Sequence, residues 1–146
     1  MLSLYSDASY MSESKTAVTA TIILGDDDCL KDFLVHSYYG MKSSEHAELL
    51  GVAQGLEWVR DHAPDEDIRI ISDNSSIVKR IADYPDDRRI PNGPQAPTWV
   101  HVFNLLDVLN RPQVAHIRAH QSRHNPNIAC DMVCTALIRQ LNGGER

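Results

Sequence analysis

The hydrophobic repeat of this chain first changes near Gly40, and that change constrains the fold more than any other feature. Before it the pattern is strand-like. In residues 2–9, Leu2, Leu4 and Tyr5 alternate with small polar residues, and the run is expected to stop on Asp7. After a polar connection over 10–15, Thr16–Leu24 is rich in β-branched residues (Val18, Thr19, Thr21, Ile22, Ile23), and 29–39 forms a third such run. Gly25-Asp26-Asp27-Asp28 between them reads as a hairpin tip. After Gly40 the period becomes helical. Leu49, Val52, Ala53, Leu56 and Val59 make one apolar stripe along Ser44–His62, with Ser44 placed to cap it and Pro64 to stop it.

Three strands joined by short loops form an antiparallel meander, and the helix that follows must return the chain across the sheet. Residues 67–72 (D-I-R-I-I-S) then read as a strand parallel to the first, reached by a right-handed crossover, and they too end on an acid, Asp73. A short helix over 75–82 follows. Four prolines break the stretch 83–98, and a helix over 99–109 carries Val102, Leu105, Leu106 and Leu109 on one face. The remainder reads as a strand over 113–119, a polar loop from His120 and a last helix over 127–141. The expected architecture is α/β, a five-stranded mixed sheet of three antiparallel and two parallel strands flanked by helices. One domain over 1–142 accounts for the chain, with 143–146 a frayed tail.

Direction along the strands brings the acids together. If the first strand runs up, the second runs down and the third up, so the helix from Ser44 starts at the top, level with Asp7. That places Glu48 near Asp7, with Glu45 a competitor. The strand ending at Asp73 also runs up. If 113–119 does the same, His120 and, early in the last helix, Asp131 join the same edge. Ligands collect outside such carboxyl edges of parallel strands. Four crowded carboxylates repel unless they share protons or a cation. Oxygen-only ligation suits Mg²⁺ or Mn²⁺ over zinc or copper. The plain alternative is a solvated acidic rim, common in a chain with 20 acids.

Composition narrows the partners and the compartment. The formal charge of −6 speaks against loose, charge-driven binding to nucleic acid, so any such activity must come from a site. Three cysteines make no disulfide framework, and a reducing cytoplasm is expected. Cys130 and Cys134, four apart on a helix, read as a buried thiol pair and not as a metal site. His116, His120 and His124 do not align on one face on strand-plus-loop spacing, which argues against a zinc site built from them. No apolar run has the length of a membrane span, and no signal-peptide pattern opens the chain.

In order and context the motifs Y-S-D-A-S, H-A-E-L-L-G-V-A-Q-G-L, I-I-S-D-N-S-S-I-V and R-A-H-Q-S-R-H-N-P-N-I-A-C-D resemble type 1 ribonuclease H over nearly the whole chain. The element order is also similar to that family's β-β-β-α-β-α-α-β-α layout. The resemblance implies that Asp7, Glu48, Asp73 and Asp131 hold two Mg²⁺ ions (Mn²⁺ may replace them), with His120 assisting proton transfer and product release. It implies hydrolysis of the RNA strand of an RNA–DNA hybrid, leaving 5′-phosphate ends. The hybrid is the expected partner and no membrane is. The chain is read as a monomer, with tethering to a replication or repair assembly left open. Ser9, Ser12, Ser43 and Ser44 are the small polar groups placed to meet 2′-hydroxyls. The E-L-L-G-V-A pattern favours Glu48 over Glu45, and His120, directly after its strand, is favoured over His124.

Two departures stand out. Ala8 replaces the usual glycine. Where some relatives carry a lysine-rich protrusion, 83–94 sets Arg88 and Arg89 against Asp83, Asp86 and Asp87, a net of −1. Two rival functions share this fold: a non-catalytic binding module in a larger assembly, and a nuclease directed at DNA. An intact set of four acids speaks against the first, and a chain of 146 residues has little room for the insertions of the second.

Overall fold

In a computed structural model that describes residues 1–117 and 126–141 (126–128, 131–133 and 139–140 as backbone alone), the period change near Gly40 separates a meander from the rest of the fold. Strands β1 (Leu2–Met11), β2 (Thr16–Leu24) and β3 (Leu30–Tyr38) pair antiparallel in sequence order. Helix α1 (Ser44–His62) crosses to β4 (Ile68–Ser72), which pairs parallel to β1. Then come α2 (Ser75–Asp83), α3 (Ala96–Val108), β5 (Gln113–His116) parallel to β4, and α4 (Pro126–Leu141). The sheet order is β3-β2-β1-β4-β5, the expected mixture of three antiparallel and two parallel strands.

Helices cover both faces. On one, α1 and α3 bury Leu49, Val52, Leu56, Val59, Val102 and Leu106 against Leu2, Leu4, Ile23, Ile68 and Ile70. On the other, Cys130, Cys134 and Ile138 of α4 pack against Val18, Ala20 and Ile22 of β2. Both thiols are fully buried and outside any disulfide, as a structural pair would be. Each side chain donates to β1, Cys130 Sγ to the Tyr5 carbonyl and Cys134 Sγ to the Asp7 carbonyl.

Two glycines set how closely α1 approaches the sheet. A Cβ on Gly55 would lie 3.1 Å from Thr21 and 3.2 Å from Leu4, and one on Gly51 3.5 Å from the Ser6 Cβ. Thr21 Oγ1 donates to the Gly51 carbonyl at 2.8 Å, which ties the helix to β2 at that level.

Several boundaries differ from the sequence expectation. β1 does not stop near Asp7; pairing with β2 carries it to Met11, opposite Thr16. The hairpin tip is therefore only 12–15, closed by Lys15 at φ 54°. The turn at Asp26–Asp28 is a short 3-10 segment. Ser43, not Ser44, caps α1, its hydroxyl accepting from the His46 N–H. α3 begins at Ala96, because Pro97 in a first turn forfeits no helical hydrogen bond. Residues 118–119, expected to extend β5, lie outside the described residues, as do 142–146.

Candidate metal centre

The end of the β1–β4 ladder creates the site. Parallel pairing stops at Tyr5 opposite Ile71, while β1 continues along β2. The same register carried two residues further sets Asp7 beside Asp73, where β4 has already ended. Asp7 is therefore a mid-strand residue facing the gap left where β4 ends, 6% exposed. Helix α1, drawn onto the sheet at Gly51 and Gly55, places Glu48 over that gap.

The three side chains meet there. Carboxylate oxygens of Asp7, Glu48 and Asp73 all lie within 4.8 Å of one another. Glu45, exposed in the first turn, is outside this group. Asp7 Oδ1 accepts from the Ala8 N–H at 2.9 Å, which orients the carboxylate from its own strand. Burial, followed by the charges of Asp7 and Asp73 and a hydrogen bond to Asp73, raises the Glu48 pKa to about 8. In the absence of a cation the cluster thus relieves part of its repulsion by keeping a proton on Glu48.

The Asp73 backbone is held from several sides. His116 Nε2 lies 2.9 Å from the Asp73 carbonyl oxygen, and Ile117 N–H donates to Ser72 O at 3.0 Å. Asn74 caps α2 by accepting from Ile77 N–H, and its own N–H donates to Ser72 Oγ. Sequence reasoning considered His116 only as an unsuitable zinc ligand. Its position opposite Ser72 in the β4–β5 register is the feature that gives it this supporting role.

The other named residues divide into those the structure describes and those it does not. Ser9 lies 3.5 Å from Thr135 of α4, hydroxyl to hydroxyl. Ser12 is exposed in the hairpin tip and Ser44 on the first turn of α1, whereas the Ser43 hydroxyl is engaged as the cap. Asp131 lies four residues before Thr135 in α4, and its side chain is outside the described residues. His120 and His124 lie outside them too.

A set of carboxylates alone, one buried and one holding a raised pKa, fits a hard divalent cation. Binding such an ion would discharge the Glu48 proton and cancel the repulsion.

Comparisons with known proteins agree with this architecture. The family model described as RNase H matches residues 1–139. No curated protein matches the sequence. Among solved structures, RNase H1 from the halophilic archaeon Halobacterium salinarum NRC-1 superposes with a TM-score of 0.76 at 15% identity, covering 95% of this chain and 98% of that one. LC11-RNase H1, isolated from compost by a metagenomic approach, gives a TM-score of 0.78 at 12% identity, covering 96% of each chain. The same enzyme in complex with an RNA/DNA hybrid gives 0.71 at 11% identity, covering 91% of this chain and 99% of that one.

Proposed function

Because the chain belongs to the ribonuclease H family, we propose that it is a divalent-metal-dependent endonuclease acting on the RNA strand of RNA–DNA hybrids and leaving 5′-phosphate ends. The observation that carries this reading is the convergence of Asp7, Glu48 and Asp73 at the gap between β1 and β4. In the proposal these three, with Asp131, hold two Mg²⁺ ions, for which Mn²⁺ may substitute. When bound, the ions supply an activated water and stabilise charge on the scissile phosphate and the leaving 3′ oxygen.

The chain's own residues do the rest. Asp7, fixed by the Ala8 N–H, and Asp73, fixed through its backbone, hold two ligand positions still. Glu48 gives up its proton on loading. His120 moves a proton at the leaving group and aids product release. Ser12 and Ser44 meet ribose 2′-hydroxyls, with Ser9 and Ser43 contributing from partly engaged positions. The chain acts on the hybrid as a monomer in the cytoplasm, or through a tether to a replication or repair assembly.

The test is direct. The purified chain is incubated with end-labelled hybrid, double-stranded RNA and double-stranded DNA, each with Mg²⁺, Mn²⁺ or chelator. Cleavage of the RNA strand of the hybrid, requiring metal and yielding 5′-phosphates, is expected. Robust cleavage in chelator, or of double-stranded DNA in preference to hybrid, would overturn the reading.

A further inference from the structure

A second polar site lies on the other side of α1 from the acids. A groove of about 370 Å³ has Leu50, Ala53, Gln54 and Glu57 of α1 along one side. His36 and Tyr38 of β3 and Pro97, Thr98 and His101 of α3 complete it. This is within the about 300–1,000 Å³ of small-molecule sites. Glu48 and Gln54 are six residues apart, about 9 Å along the helix axis, and the groove shares no residue with the acid cluster.

One side chain there is under-satisfied. Gln54 is 8% exposed, and its Oε1 accepts from the fully buried Thr19 hydroxyl at 3.0 Å. Its Nε2 has no hydrogen-bond acceptor among the described residues, although a buried amide ordinarily finds one. One turn further along the same face, Glu57, which also lines the groove, has its Oε1 2.6 Å from His101 Nε2. The Tyr38 hydroxyl keeps its proton, its pKa raised by burial and by the Glu57 charge.

The occupant must therefore offer an acceptor to Gln54 and, beside it, a donor to Glu57. A metal ion does neither for the amide, and no metal-ligand set other than the acid cluster occurs among the described residues. An anion would meet the Glu57 charge. A nucleobase edge carries donor and acceptor side by side. Its flat faces suit Tyr38 and the imidazoles of His36 and His101, as unpaired bases stack on aromatic side chains. We propose that this groove binds an unpaired nucleobase, read at its hydrogen-bonding edge by Gln54 and Glu57. Guanine, with an acceptor next to two donors, fits best. The proposal does not depend on the chain being a nuclease.

The full chain in chelator is titrated with GMP, AMP, CMP, UMP and ribose 5-phosphate, and with single-stranded homopolymers of the same bases. Binding is read from the ring resonances of His36 and His101. Saturable shifts that depend on the base are expected, with affinity falling about tenfold or more in Glu57→Leu, the loss typical of a hydrogen bond to a charged group, and by a smaller factor in Gln54→Leu, whose amide is neutral. His36→Ala, a substitution at an exposed strand position, keeps the test valid if the helix variants fail to fold, and should also weaken binding. A homopolymer that binds better than its monomer identifies the source as an unpaired base in a strand; equal binding identifies a free nucleotide. Absence of saturable shifts at millimolar nucleotide, equal response to ribose 5-phosphate, or wild-type affinity in the folded variants would overturn the proposal.

Discussion

The acid cluster and the flank that runs from α2 to the start of β5 use the same residue types to opposite ends. In the cluster, burial and the charges of Asp7 and Asp73 lift Glu48 to about 8. On the flank, hydrogen bonds from the Arg89 side chain and backbone hold the Asp87 carboxyl well below the ordinary range. Arg89 Nη2 lies 2.8 Å from Asp87, Lys79 3.0 Å from Asp83, Arg111 3.6 Å from Asp86, and Arg88 3.8 Å from Asp107. Carboxylates crowded within 4.8 Å of one another could hold a cation. On the flank, acids stand beside the arginines and offset their charge. The difference separates where chemistry is placed from where grip would be expected.

The largest expected effect breaks the cluster. Asp7→Asn or Asp73→Asn should reduce metal-dependent cleavage of labelled hybrid to background, while each variant remains folded by circular dichroism. Activity near wild type in either would remove the cluster from the chemistry. Next comes His120→Ala, expected to slow turnover by about 10²–10⁴-fold without abolishing it. A larger loss from His124→Ala would transfer the proton-handling role to that residue.

The flank yields smaller effects. Each phosphate contact contributes about 0.9 to the log–log salt slope on duplex DNA, so matched arginines imply a shallow dependence of hybrid binding on salt. Arg88→Ala and Arg89→Ala should leave that slope unchanged. A steep slope that flattens in these variants would mean that their ion pairs open to bind substrate.

The smallest effect is one of stability. In chelator the folded chain keeps the Glu48 proton up to about pH 8, whereas the unfolded chain releases it near the ordinary 4.5. Between those values the unfolded state binds fewer protons, so stability should fall as pH rises from about 4.5 to about 8 and then level off. Glu48→Gln should flatten this part of the profile in urea melts. A slope that is the same in both proteins would place its origin elsewhere.

Much of this was legible in the sequence because strand direction is a strong constraint. Alternation in the first three strands and the helical stripe from Leu49 were enough to send Asp7, Glu48 and Asp73 to one edge. The reason Asp7 sits there was not legible. It lies within β1, and the gap arises because β4 is shorter, which depends on register and not on composition. Ser43 and Ser44 are equally good caps by residue type, and only the extended backbone of Ser43 decides between them. Pro97 looked like a breaker because its tolerance in a first turn depends on where the helix begins. Gly51 and Gly55 gave no sign of their role, since a close helix–sheet approach leaves no local signature.

Thermal melting with and without Mg²⁺ tests the central claim, that these acids form one cation site. Asn at position 7 can still accept the Ala8 N–H but carries no charge. In chelator, Asp7→Asn should melt above wild type because repulsion is relieved, and Asp131→Asn should do the same if its side chain joins the cluster. Mg²⁺ at ten times its dissociation constant should stabilise wild type by about 1.4 kcal/mol and should shift Asp7→Asn far less. An Asp7→Asn protein that melts below wild type in chelator and gains as much from Mg²⁺ would contradict the account.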